Sequence, residues 1–164
     1  MVPRQAGRAV AALSRQDGPA HYASRTIITD AALVPTAESR HFRRPLGFRN
    51  ALVQAIMAGN TSVFNAPAAA ILRRCAPEAR ARDIESHDWW AFQVTSGAGA
   101  AFIHDPRPAL FYRQHARSVM GRNDTAAAMS QRIAMLLAGI MAAGWLPTMR
   151  PWMLSDRSCC RKTA

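Results

Sequence analysis

Ser86-His87-Asp88-Trp89-Trp90-Ala91-Phe92-Gln93-Val94-Thr95-Ser96-Gly97-Ala98-Gly99-Ala100-Ala101-Phe102-Ile103-His104-Asp105 passes from a helix signal to a strand signal without a long linker. Ser86 is a predicted cap for a helix from about His87 to Ser96, with Asp88 in the first turn, where the helix dipole favours a carboxylate. Gly97 and Gly99 are predicted to stop it. Ala100 to His104 and Ala109 to Arg113 then read as strands flanking the turn Asp105-Pro106-Arg107-Pro108, as a hairpin or as neighbours in a sheet.

Working outward, the same alternation continues. Gln5 to Leu13 carries Ala6, Val10 and Leu13 at helical spacing, stopped by Gly18-Pro19. Tyr22 to Thr29 favours a strand ending at Asp30. Val34 to Pro45, with two prolines and the basic cluster His41, Arg43 and Arg44, reads as a loop. Phe48 to Met57 resumes a helical or irregular apolar pattern that offers Leu52, Val53 and Ile56 to a core. Gly59-Asn60-Thr61 is turn chemistry before the short strand Ser62-Val63-Phe64, and Asn65 is a predicted N-cap for a helix over Pro67 to Cys75. Pro77 to Arg82 reads as a charged connector. Beyond Gly121 the sequence is helix-forming through Ala142, and Pro147 to Ala164 reads as a frayed tail. Helices alternating with strands imply an α/β sheet covered by helices. The strand, Gly-rich turn and helix that usually open a nucleotide-binding α/β domain are not in this sequence.

The chain has 164 residues, of which 49% are hydrophobic, enough for one modest core and not for two independent catalytic domains. Its formal charge of +11 is almost wholly arginine, spread from Arg4 to Arg161, with Lys162 the only lysine. That spread argues against a dedicated basic tail, while the charge itself suits phosphate-bearing partners: nucleic acid, an anionic membrane face or a nucleoside-diphosphate sugar. Cys75 and the adjacent pair Cys159 and Cys160 lack zinc-site spacing and read as free thiols in a reducing compartment. No signal-peptide pattern opens the chain, so a cytoplasmic location is expected, extending to the inner face of the membrane. The uncharged run from Ile133 to Met149 is at the low end of what spans a bilayer and reads as a helix packed on the domain or lying on a membrane surface.

Three clusters carry chemistry. His87-Asp88-Trp89-Trp90 joins a carboxylate, an imidazole and two large aromatic faces, the combination that binds sugar hydroxyls and covers apolar C–H faces. The plainer alternative is that Asp88 only charges the helix N-terminus and one Trp fills the core. Tyr112-Arg113-Gln114-His115 follows an apolar strand, where α/β folds present ligand-binding groups. Arg113 suits a phosphate or carboxylate, and a neutral His115 suits a metal or an oxyanion. Gly59-Asn60-Thr61 lets backbone N–H groups and small hydroxyls approach a substrate closely.

In this order and spacing the three clusters, with Phe64-Asn65 and Asp105-Pro106 between them, resemble bacterial family 2 glycosyltransferases of the rhamnosyltransferase-like kind. The resemblance runs from about Pro3 to Arg122, with residues 123–164 as a helical, poorly ordered tail. It implies part of a GT-A (Rossmann-like) domain with a mixed sheet, and transfer of a sugar with inversion from a nucleoside-diphosphate sugar to a glycan or lipid-linked acceptor. It further implies that Asp88 is the general base, that Gly59, Asn60, Thr61, His87, Trp89, Trp90, Arg113 and Gln114 bind substrate, and that His115 completes the coordination of a divalent manganese or magnesium ion. The Asp-x-Asp metal motif of such enzymes occurs nowhere in this sequence, and the residues quoted correspond to their acceptor-side, C-terminal part. The expectation is therefore a truncated or frameshifted chain that lacks the nucleotide-sugar half and is inactive alone, associated at most peripherally with membranes. A basic nucleic-acid-binding module is the alternative from another class, although the arginines form no aromatic-interleaved stripe.

Overall fold

The computed structural model describes residues 3–81, 83–84, 86–113 and 130, and every described strand lies in the compact unit Met1–Gln114. The architecture is mixed α/β, as the alternation predicts, with two three-stranded sheets. Strand β1 (Ala20–Ser24) is central in the first, paired antiparallel with β4 (Val63–Phe64) and parallel with β5 (Ala101–Asp105). Strand β2 (Ile27–Thr29) is central in the second, antiparallel to β3 (Pro35–Glu38) and parallel to β6 (Phe111–Arg113). The Tyr22 to Thr29 strand is thus broken at Arg25-Thr26. The strands on either side of Asp105-Pro106 form no hairpin, because each lies parallel to a segment of the earlier run.

Alternation along β1 builds the layers. Ala20 and Tyr22 pack against Ala9 and Leu13 of helix α1 (Pro3–Leu13), joined by Val63, Ala101 and Ile103. Ala23 packs against Ala51 of α2 (Phe48–Val53) and Phe92 of α4 (His87–Gly97), with Ile56, Met57 and Phe102. The first sheet therefore has α1 on one face and α2 with α4 on the other, and helix α3 (Ala66–Ala81) also meets β1 and β4. The buried stripe of α1 is Gln5, Ala9 and Leu13, and the predicted Val10 is 64% exposed. Gln5 displaces the apolar choice because its amide donates to Ser24 Oγ and the Thr61 carbonyl, so a polar side chain is buried with partners.

Other boundaries also move. Residues 35–38, within the predicted loop, form an edge strand, which tolerates Pro35 because its nitrogen has no N–H to pair. Of the three side chains offered to the core between Phe48 and Met57, Ile56 is buried, while Leu52 and Val53 are exposed because α2 ends after two turns and faces them outward. Helix α3 (Ala66–Ala81) does not end at Cys75 but runs through Pro77, so the expected charged connector is helical as far as Ala81. Asn65 caps it, its side-chain oxygen accepting from Ala68 N at 3.2 Å and from Ala20 N at 2.9 Å.

Helices α3 and α4 (His87–Gly97) close in the same way. Ile84 N donates to Ala79 O and Asp83 N to Arg80 O around Asp83, whose φ is 47°. Ala100 N donates to Thr95 O and Gly99 N to Ser96 O around Gly99, whose φ is 75°. These paired bonds around a left-handed residue are the Schellman arrangement, which glycine enters without Cβ strain. Gly99 is therefore the stop, and Gly97 is still helical.

Candidate functional site

Two clusters that lie 29 residues apart in the sequence meet at the N-terminus of α4. Gly59 opens the 3-10 turn Gly59–Thr61, and its N–H points at Asp88 Oδ2 from 3.4 Å, a long and weak hydrogen bond. A Cβ added to Gly59 would sit 3.0 Å from Asp88 Cβ and 3.2 Å from His87 Nε2. Glycine is favoured here by close approach rather than by an unusual φ.

The two oxygens of Asp88 are held unequally. Oδ1 accepts from Ser86 Oγ at 2.9 Å and from Trp89 N at 2.8 Å, which fixes the carboxylate plane. Among the described residues Oδ2 has only the long contact from Gly59, which leaves acceptor capacity on that oxygen. Ser86 stands at the N-cap position, yet its hydroxyl serves Asp88 and caps no backbone N–H. The Ser-x-Asp spacing was the available sequence signal for this, masked by the more familiar capping role of serine.

The remaining predicted residues divide between core and surface. Thr61 is fully buried, and its hydroxyl donates to the carbonyls of Ser24 and Ala58, so it anchors the turn. Asn60 and His87 are exposed beside Asp88. Trp89 Nε1 donates to the Ala51 carbonyl at 2.7 Å, tying α4 to α2, and Gln93 reaches the same carbonyl. Arg113 is exposed on β6, in the second sheet. Gln114 and His115 lie outside the described residues, as do the helix and tail expected beyond Gly121, the uncharged run Ile133 to Met149, the Cys159-Cys160 pair and the boundary at residue 122.

The turn is also fastened from beneath. Ser62 Oγ donates to the Ala58 carbonyl at 2.9 Å and lies 2.8 Å from His21 Nε2. Since the hydroxyl proton goes to Ala58, the network assigns the imidazole proton to Nε2, and Nδ1 is left buried without a donor. Burial among Phe64, Phe92 and Phe102 pushes the His21 pKa down to about 3, so the ring is neutral.

Trp90 lines a groove of about 370 Å³ with His87, Ala76, Ala79, Arg80, Asp83 and Ile84. Its indole Nε1 is buried without an acceptor among the described residues. This groove was not legible in the sequence, because the end of α3 that forms its wall reads as a connector. An aromatic side chain, an imidazole, a guanidinium and a carboxylate lining one groove form a set suited to a polyhydroxyl ligand.

Among the described residues no three His, Cys, Asp or Glu side chains group as metal ligands, and no helix is long and apolar enough to cross a membrane. Comparison of the chain with protein-family models, with curated proteins and with solved structures gives no match.

Proposed function

We propose that this chain is the acceptor-side part of a family 2-like, GT-A type inverting glycosyltransferase, with Asp88 as the base that takes the proton from the attacking acceptor hydroxyl. The observation that carries this reading is the junction of Gly59 with Asp88, which joins the two clusters the resemblance assigns to one pocket and leaves Oδ2 lightly held. A general base must reach the proton it removes, and a carboxylate fixed through one oxygen presents the other in a defined direction. Trp90, Arg80 and Asp83 offer the neighbouring groove to the rest of the acceptor.

The chemistry asks for a second part. A departing nucleoside diphosphate needs charge neutralisation, and a divalent ion held by carboxylates supplies it in such enzymes. The described residues group no such ligand set. The outer edge of β4 has no partner strand among the described residues, and a nucleotide-sugar half would find backbone donors and acceptors there.

The test joins this chain to a nucleotide-sugar-binding half that carries an Asp-x-Asp motif and follows release of nucleoside diphosphate with manganese or magnesium and a panel of donors and acceptors. Asp88→Asn keeps the shape and loses the basicity. It should leave donor binding intact and lower turnover by roughly two to four orders of magnitude. Turnover within about threefold of the parent, far below the usual loss for a general base, removes Asp88 from that role.

A further inference from the structure

His21 is a buried titratable group that the transfer chemistry does not use. Its side chain is fully buried, and its ring lies among Phe64, Phe102 and Phe92 with centroids 4.1, 5.9 and 6.5 Å away. Such a cage suits an apolar side chain better, because a buried imidazole gives up water on both nitrogens. His21 recovers one hydrogen bond through Nε2, 2.8 Å from Ser62 Oγ, while Nδ1 has no partner among the described residues. With its pKa pushed down to about 3 by burial, the ring stays neutral. Anything the imidazole contributes beyond packing therefore passes through Ser62.

Ser62 carries that contact to the turn. Its hydroxyl donates to the Ala58 carbonyl at 2.9 Å, and the same oxygen accepts from Thr61 N at 3.1 Å and Thr61 Oγ1 at 3.2 Å. The Ala58 carbonyl and the Gly59 N–H are the two ends of one planar trans peptide, so they point in opposite directions. Donors gathered on the oxygen at one end thereby aim the N–H at the other, and that N–H points at Asp88 Oδ2.

The junction tolerates little rotation of this peptide. Its bond to Oδ2 is already 3.4 Å long, so turning the N–H away from the carboxylate breaks it. Movement the other way is limited by the packing of Gly59 on Asp88, where even a methyl group would sit 3.0 Å from Asp88 Cβ. Oδ1 is held separately by Ser86 and Trp89, so the Ala58–Gly59 peptide is what orients the second oxygen.

We propose that His21 is a positioning residue for Asp88, acting through Ser62 and the Ala58–Gly59 peptide to keep the Gly59 N–H directed at Oδ2. Its effect on turnover rests on the reading of Asp88 as the base, whereas its hold on the turn is a property of this chain and is measured without any transfer. The role is orientation rather than proton transfer, since the neutral ring is closed off from solvent.

The experiment follows amide hydrogen exchange in the full chain by NMR, comparing the Thr61 and Ser62 N–H groups of the turn with the ladder amides of β1 and β5. His21→Leu suits the phenyl cage and cannot donate, whereas His21→Gln places an amide N–H near the position of Nε2. His21→Leu should speed exchange at Thr61 and Ser62 about tenfold with the ladder unchanged, and His21→Gln should stay within about twofold of the parent. Ser62→Ala should match His21→Leu, and the two together should add nothing further, because both act through one path. Ser62→Ala carries the comparison if His21→Leu does not fold. Parental exchange at the turn in His21→Leu and Ser62→Ala overturns the proposal. So does an equal rise in turn and ladder, or a rise in His21→Gln as large as in His21→Leu, since either makes the ring a packing element only.

In the chain joined to a nucleotide-sugar half, His21→Leu should lower kcat about tenfold with the acceptor KM little changed, and His21→Gln should keep the parental kcat. An active joined chain whose kcat ignores His21→Leu overturns the positioning role. A joined parent that transfers no sugar, or that is indifferent to Asp88→Asn, instead removes the reading of Asp88 as the base, and exchange at the turn still decides whether His21 holds the peptide.

Discussion

The two sheets are successive halves of one strand pair, yet only one is a core. From Ala20 to Ser24 every residue of β1 is buried, beneath α1 on one face and α4 on the other. A few residues later the same two parallel runs continue as β2 and β6, and all three residues of β6 are exposed. Phe102-Ile103 and Phe111-Tyr112 have similar strand propensity and different surroundings. Strand propensity selects extended backbone, and burial follows only where a helix is laid over the face.

The largest test of this contrast is a pair of truncations. Phe92 is fully buried and its ring meets Phe102 edge-on with centroids 5.0 Å apart, so Phe92→Ala should cost about 3–5 kcal/mol. Phe111→Ala, on the exposed sheet, should change stability by no more than about 0.5 kcal/mol. Urea unfolding of both variants measures the difference, and equal losses would show that the second sheet is covered after all.

Asp105 marks the junction of the two sheets. It is buried and accepts from Arg8 at 2.7 Å, the Tyr22 hydroxyl at 2.7 Å, and the backbone N–H and guanidinium of Arg107. Burial by itself would raise its pKa, but the Arg107, Tyr22 and Arg8 bonds outweigh that and hold it well below the usual carboxylate range. Asp105→Ala leaves these donors without their acceptor and should cost about 3 kcal/mol. Because the folded pKa is depressed, the stability from Asp105 is complete above the unfolded value near 4 and is lost only as pH falls below it.

His21 should give a separate effect at higher pH. Its pKa is lowered by burial to about 3, so below about pH 6.5 the unfolded chain binds a proton that the folded chain refuses. Stability should then fall by about 1.4 kcal/mol per pH unit between pH 6 and pH 4, before Asp105 contributes. His104, also lowered by burial, adds in the same direction. A His21→Gln variant with an unchanged slope over that range would assign the effect elsewhere.

Much of the candidate site was legible before any coordinates. The helix at His87, the turn at Gly59 and the cap at Asn65 are local events, written in residues within one helical turn of each other. The junction of Gly59 with Asp88 was not local, and only the resemblance placed both in one pocket. Thr61 and Trp89 show why residue type is a poor guide to role. Their polar atoms are consumed by the carbonyls of Ser24 and Ala51, which no spacing rule connects to them.

The sequence by itself determined the α/β alternation and where helices α3 and α4 start, because caps and alternation act over a few residues. It did not determine which strands pair, which faces are covered, that Gln5 rather than Val10 is buried, or that Leu33 is held strained in solvent. Those were decided by the tertiary structure, since each depends on whether a distant segment supplies a hydrogen-bond partner or an apolar cover for the group in question.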